Sequence, residues 1–186
     1  MISKSQIKYL KSLSQKKYRK ENKQFIIEGV RSIKELLASD YIVEKVWVTE
    51  SFLSESLDLK EKIISLDYEL INQEDLCHIL NTKSPQEIMA LVSIKSNRTI
   101  PMSGKSLILD NISDPGNMGT LLRSASWYGI DNVFCSRNSV DIYNPKVVRS
   151  AMGAHFHIKN LFQVNIIDII ENLKNKEYRL IAATLD

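Results

Sequence analysis

Apolar extended runs and amphipathic segments take turns along the first half of this chain, and that alternation limits the folds open to it. Residues 5–13 carry Ile7, Leu10 and Leu13 at helical spacing with lysines between them. A polar stretch, 14–23, follows. QFIIE at 24–28 reads as a strand and Gly29 as a turn. Val30, Ile33, Leu36 and Leu37 share one face of a helix over 30–39. VEKVWVT at 43–49 alternates and is rich in β-formers, so it reads as a strand. Residues 51–59 are weakly helical, 62–66 read as a short strand, and 72–80 as a helix behind a polar cap. IMALVSI at 88–94 is a further apolar strand. Helix and strand alternating in this way predict a three-layer α/β domain ending near Lys95.

A second unit opens at Ser106. Leu107-Ile108-Leu109 reads as a buried strand, 110–116 as a turn-rich loop, and Met118, Leu122 and Ala125 as one face of a helix. Gly129 stands where a helix end wants positive φ. Strand, polar loop and helix in succession build ligand sites in open α/β folds, because ligands bind beyond the carboxyl ends of parallel strands. Arg123 lies about two turns into this helix and is the first candidate for chemistry. A strand at 131–136 follows, then an irregular loop at 137–144. Pro145 opens a short helix over 146–152, with Gly153 as its stop. Residues 155–161 read as extended, 165–174 as a helix and YRLIAA at 178–183 as a last strand, after which the sequence ends at Asp186. That end falls where a site loop would begin, and a unit of about eighty residues is small for a core of its own. The expectation is a part of something longer. Residues 97–105, polar with one Pro and one Gly, read as an interdomain linker or edge loop.

The length of 186 residues suits one large or two small domains. Net charge is +3, but Lys4, Lys8, Lys11, Lys16, Lys17, Arg19, Lys20 and Lys23 face the single acid Glu21 within residues 4–23. Such a block fits an anionic partner, nucleic acid first, or a solvated helix face; charge alone does not separate the two. Cys77 and Cys135 form no disulfide framework and no zinc spacing, so a reducing cytoplasm is expected. His155 and His157 lack the carboxylates or cysteines of a metal site, and no metal is expected. Trp47 and Trp127 read as core or interface anchors. No apolar run approaches a membrane span, and there is no signal-peptide h-region.

NISDPGNMGTLLRSASWYGIDNV, from Asn111, resembles the first signature motif of the SpoU, or TrmH-like, RNA 2′-O-ribose methyltransferases of the SPOUT class. The motif joins an Asn-x-Gly turn (Asn117, Gly119) to a helical Arg (Arg123), a small residue (Ala125) and an aromatic-Gly pair (Tyr128, Gly129). DIYNPKVVRSAMGAHFHI, from Asp141, is similar to the family's continuation. KKYRKENKQFIIEGVRSIKELL and KSPQEIMALV resemble its N-terminal RNA-binding domain. Two later family motifs, a Gly-Glu-Gly type turn and a Ser-Leu-Asn segment, are not in this sequence. In the family they form the trefoil knot and most of the S-adenosylmethionine pocket.

The resemblance implies an α/β chain in two domains. Residues 1–96 would be an RNA substrate-binding domain resembling small ribosomal proteins. Residues 106–186 would be a partial SpoU methyltransferase domain with a mostly parallel sheet. It implies methyl transfer from S-adenosylmethionine to a ribose 2′-hydroxyl, with ribosomal RNA preferred over transfer RNA, and a homodimer when full length. Arg123 would stabilise the alkoxide and grip a phosphate; a guanidinium keeps its proton in proteins, so it is no literal base. Asn117 would bond the ribose or cap the helix. Thr184 and Leu185 would touch the cofactor. Arg149 would contact RNA phosphate or the cofactor region, or be a solvated helix cation. Lys16, Lys17, Arg19 and Lys20 are the expected RNA-backbone contacts. A noncatalytic RNA-binding protein is the alternative, favoured by the basic block and the missing cofactor motifs.

Overall fold

The computed structural model describes residues 2–82, 84–95 and 104–183. The first half holds four strands, β1 (Gln24–Glu28), β2 (Val43–Val48), β3 (Tyr68–Leu70) and β4 (Ile88–Ser93), in spatial order β1-β4-β2-β3. β4 runs antiparallel to both its neighbours, with Ile26 opposite Leu91 and Trp47 opposite Met89; β2 and β3 are parallel. The helices are α1 (Lys4–Ser12), α2 (Lys16–Asn22), α3 (Val30–Leu37), α4 (Glu50–Glu55), α5 (Leu57–Ile64) and α6 (Gln73–Leu80).

Strand period two assigns the two faces of this sheet. Val46, Val48, Ile88, Ala90 and Val92 pack with Ile33 and Leu36 of α3 and Leu59 and Ile63 of α5. Trp47, Met89 and Leu91 pack on the other side with Leu10 of α1 and Leu76 and Ile79 of α6. Three layers result, as the alternation predicts. β4 is buried on both faces, which is why it reads as an unbroken apolar run.

The second half has three parallel strands in the order β5 (Ser106–Leu109), β6 (Asn132–Ser136) and β7 (Asn160–Val164). Its helices are α7 (Pro115–Trp127), α8 (Pro145–Ala151) and α9 (Ile166–Asn175). Val133 and Cys135 of β6 face α7 and α8; Phe134 between them faces Ile169 and Leu173 of α9.

Three expectations need correction, and one stretch without an expected element gains a helix. Residues 62–66 belong mostly to α5, because Leu59 and Ile63 meet the core at i, i+4; the strand comes at 68–70. Polar 14–23 contains helix α2, wrapped around buried Arg19. Residues 155–161 are not one extended segment. Ala154–Phe156 is a 3₁₀ turn set by Gly153 at φ 91°, and β7 starts at Asn160. Residues 178–183 form no strand. Leu180 and Ile181 are exposed, and no described strand offers them a ladder. Of the expected linker, residues 97–103 lie outside the described residues.

The two halves are packed together. Val148 of α8 enters the core of the first sheet, and Tyr143 lies 4.7 Å from Phe25 between ring centroids. Tyr41 meets Phe156 edge-on at 5.1 Å. His157 bonds Glu35 at 2.7 Å.

Candidate functional site

The carboxyl ends of the three parallel strands are tied to one another. Asn111 and Ile112, just beyond β5, donate their backbone N–H groups to Ser136 Oγ and Ser139 Oγ, each at 3.0 Å. Those hydroxyls are 2.9 Å apart, and Gln163 of β7 donates to the carbonyls of Ser136 and Ser139. The loop from 110 to 114 is thereby fixed before α7 begins. Asp114 caps α7 by accepting the Asn117 N–H at 2.7 Å, with Pro115 at the first helical position. Asn117 is therefore inside the helix and does not cap it.

α7 lies close against α8. A Cβ on Gly119 would collide with Ser150 Oγ and come within 2.8 Å of the Ala151 nitrogen. Ser150 Oγ also donates to the Pro115 carbonyl at 3.0 Å. Met118, Leu122 and Ala125 are buried, which turns the stripe Gly116, Thr120, Arg123 and Trp127 outward. Arg123 is exposed, and among the described residues it forms no ion pair. Asn117 is exposed too. Helical geometry sets it about 9 Å from Arg123 along the axis and roughly a third of a turn round, so the two do not form one hydrogen-bonded pair. Thr120 shares the Arg123 stripe; nothing in its residue type marked it. Trp127 is 87% exposed and is no core anchor, unlike Trp47.

The other expected residues divide by burial. Arg19 is corrected: it is 3% exposed, pairs with Asp141, and donates to the carbonyls of Leu13 and Ser14. Every bond ties it to the protein, so it is closed to RNA phosphate. Lys17 and Lys20 are exposed and Lys16 partly so. Lys20 lines an open cleft of about 830 Å³ between the halves, together with Lys23, Arg137 and Lys159. Arg149 is half-exposed and reaches across to Glu28, Nε to Oε1 3.1 Å. Burial pushes the Glu28 carboxyl up, against the pull of Arg149. Thr184 and Leu185 lie outside the described residues.

His155 is fully buried with Nε2 2.7 Å from the Ile142 carbonyl, and burial lowers its pKa; it is a structural imidazole. Burial pushes the Cys135 thiol up to about 12, which removes it as a nucleophile. No group of three or more metal-ligating side chains occurs among the described residues. No helix among them is long and apolar enough to cross a membrane.

Comparison with known proteins gives two family matches: the SpoU rRNA methylase family over residues 104–186 and the MRM3-like substrate-binding domain over 4–90. The chain is 30% identical over 179 residues to the 23S rRNA (guanosine(2553)-2′-O)-methyltransferase RlmP of Bacillus subtilis, covering 96% of this chain and 70% of that protein. A TrmH-family structure from Porphyromonas gingivalis superposes with a TM-score of 0.81 at 30% identity, covering 95% of this chain and 68% of the other. The SpoU methyltransferase AviRb of Streptomyces viridochromogenes, in complex with AdoMet, superposes at 0.80 and 20% identity, over 94% and 70%, a likeness of fold.

Proposed function

The chain belongs to the SpoU rRNA methylase family, and on that premise we propose that it serves S-adenosylmethionine-dependent 2′-O-methylation of a ribose in ribosomal RNA. The observation that carries this reading is Arg123. It is an outward cation on α7, reached through a loop pinned at the carboxyl ends of parallel strands, with no carboxylate among the described residues to neutralise it.

A ribose hydroxyl attacks poorly until it loses its proton, and the charge that builds on oxygen wants a fixed cation. Arg123 supplies that cation. The donor would supply an activated methyl group to the ribose oxygen, and its sulfur would keep the electron pair of the broken bond. The hydroxyl proton goes to an RNA phosphate or to water, since a guanidinium accepts none. Asn117 would orient the ribose. Thr184 and Leu185, expected to touch the donor, lie outside the described residues.

The same proposal divides the chain into a substrate-binding part, 1–96, and a methyl-transfer part, 106–186, joined by 97–105. Lys16, Lys17 and Lys20 would hold the RNA backbone and Arg149 a phosphate near the site. A homodimer fits the exposed Trp127 and Tyr128 at the end of α7. A reducing cytoplasm fits two cysteines as few and as far apart in the sequence as Cys77 and Cys135.

The test is transfer of labelled methyl to ribosomal RNA by the protein and its Arg123→Ala variant. The variant is expected to lose about a hundredfold or more in rate, as for loss of one oxyanion donor, with RNA affinity within about threefold. Near-normal transfer by the variant would refute the role of Arg123. Micromolar binding of S-adenosylmethionine by the unaltered chain in calorimetry would exclude the noncatalytic RNA-binding reading.

A further inference from the structure

Between α1 and α6 on one side and the starts of α7 and α8 on the other lies a second cleft, of about 600 Å³. Both halves of the molecule build it. Its apolar lining is Ile26 and Leu80 from the first half and Pro115 and Pro145 from the second, all partly exposed, with buried Leu13 and Val148 beneath them. Its rim is cationic, with Lys11 from α1 and Lys146 and Arg149 from α8. Among its lining residues Glu28 is the one carboxylate, and Arg149 already neutralises it. Lys11 and Lys146 are exposed and have no ion-pair partner among the described residues.

We propose that this cleft takes an unpaired nucleotide of the RNA substrate, with its base against the apolar walls and its phosphates on Lys11 and Lys146. The inference rests on the RNA-methylation reading above and adds a place and a form of substrate to it. The chemistry of the lining favours this occupant. A base presents apolar faces flanked by two anionic phosphates, and the cleft presents apolar faces flanked by cations. The volume falls within the range of sites for single small ligands, and a base pair with its two backbones would not enter it. RNA is read by proteins chiefly at such splayed, unpaired positions. Pro115, the first residue of α7, is part of the wall. The cleft therefore opens at the foot of the helix that carries Asn117 two residues on and Arg123 about 12 Å from Pro115 along the axis. None of the basic block at 16–20 lines this cleft, so it is separate from the lysines expected to hold the backbone.

The experiment uses the whole chain with a short single-stranded ribosomal RNA segment, the same segment as a duplex, and a version bearing 4-thiouridine for photocrosslinking. The unpaired segment should bind more tightly than the duplex and crosslink to α1, α6 or α8. Lys11→Glu with Lys146→Glu, both exposed positions, should weaken binding of the unpaired segment about tenfold or more. The salt slope should fall by roughly 1.4, about 0.7 for each phosphate that is no longer neutralised. Unchanged affinity in this variant, or crosslinks confined to α2 and the Arg123 stripe, overturns the cleft assignment while leaving the methylation reading intact. Equal affinity for the duplex overturns it as well. No RNA binding by the unaltered chain overturns both.

Discussion

Arg19 and Arg149 carry the same charge at the same boundary between the two halves, yet burial gives them different work. Arg19 lies in the interface, pairs with Asp141 and caps two carbonyls. Removing one partner of a buried pair strands the other charge in low dielectric, so Arg19→Ala should cost about 3–5 kcal/mol of stability in urea unfolding. Lys17→Ala, whose 3.9 Å contact to Glu21 is exposed, should stay within about 0.5 kcal/mol. A loss no larger for Arg19 than for Lys17 would show that the buried pair does not hold the halves. His155 gives a pH signature. Its folded pKa lies below the ordinary value near 6.5, so between the two the unfolded chain binds a proton that the folded chain refuses. Stability from this residue is full above pH about 6.5 and falls as the solution is acidified through that window. The urea midpoint should drop from pH 7.5 to 5.5, and the drop should shrink in His155→Gln; an equal drop in the variant would assign it to other groups.

At the scale of elements, the contact of α7 with α8 depends on Gly119. The residue is mid-helix and not at positive φ, so its reason is space and not backbone conformation. An added methyl meets Ser150 and the Ala151 backbone and would force the helices apart. Gly119→Ala gains helix propensity but should still cost about 1–3 kcal/mol by overpacking, and should lower methyl transfer because α7 carries Arg123. A rise in melting temperature for this variant would contradict the packing. The elements also mark where sequence patterns suffice. β4 was legible because burial on both faces leaves a continuous apolar run. Residues 62–66 misled because Ile63 and Ile64 are β-branched, while the i, i+4 pair Leu59 and Ile63 decided for helix. Residues 178–183 misled in another way: strand-forming residues make a strand only where a neighbour completes the ladder.

The whole molecule reads from sequence as two units, and packing couples them. Val148 sits in the first core, Tyr143 against Phe25, and Arg19 on Asp141, so neither half is buried properly alone. Calorimetry should therefore give one transition, with van't Hoff and calorimetric enthalpies about equal; two separated transitions would mean independent halves. By itself the sequence determined the elements whose cause is local. These are the helix starts at Asn72 and Pro145, the strand alternation of β2, the run of β4, and the strand, loop and helix that present Arg123. Hydrophobic period and capping act over a few residues, so they can be read in a line. Only the tertiary structure decided that Arg19 is a tie and Arg149 a bridge, that Trp127 faces solvent while Trp47 does not, and that a cleft forms at the foot of α7. Each depends on what folding brings close from distant parts of the chain, as Asp141 to Arg19 and Glu28 to Arg149, and no local pattern records such a neighbour.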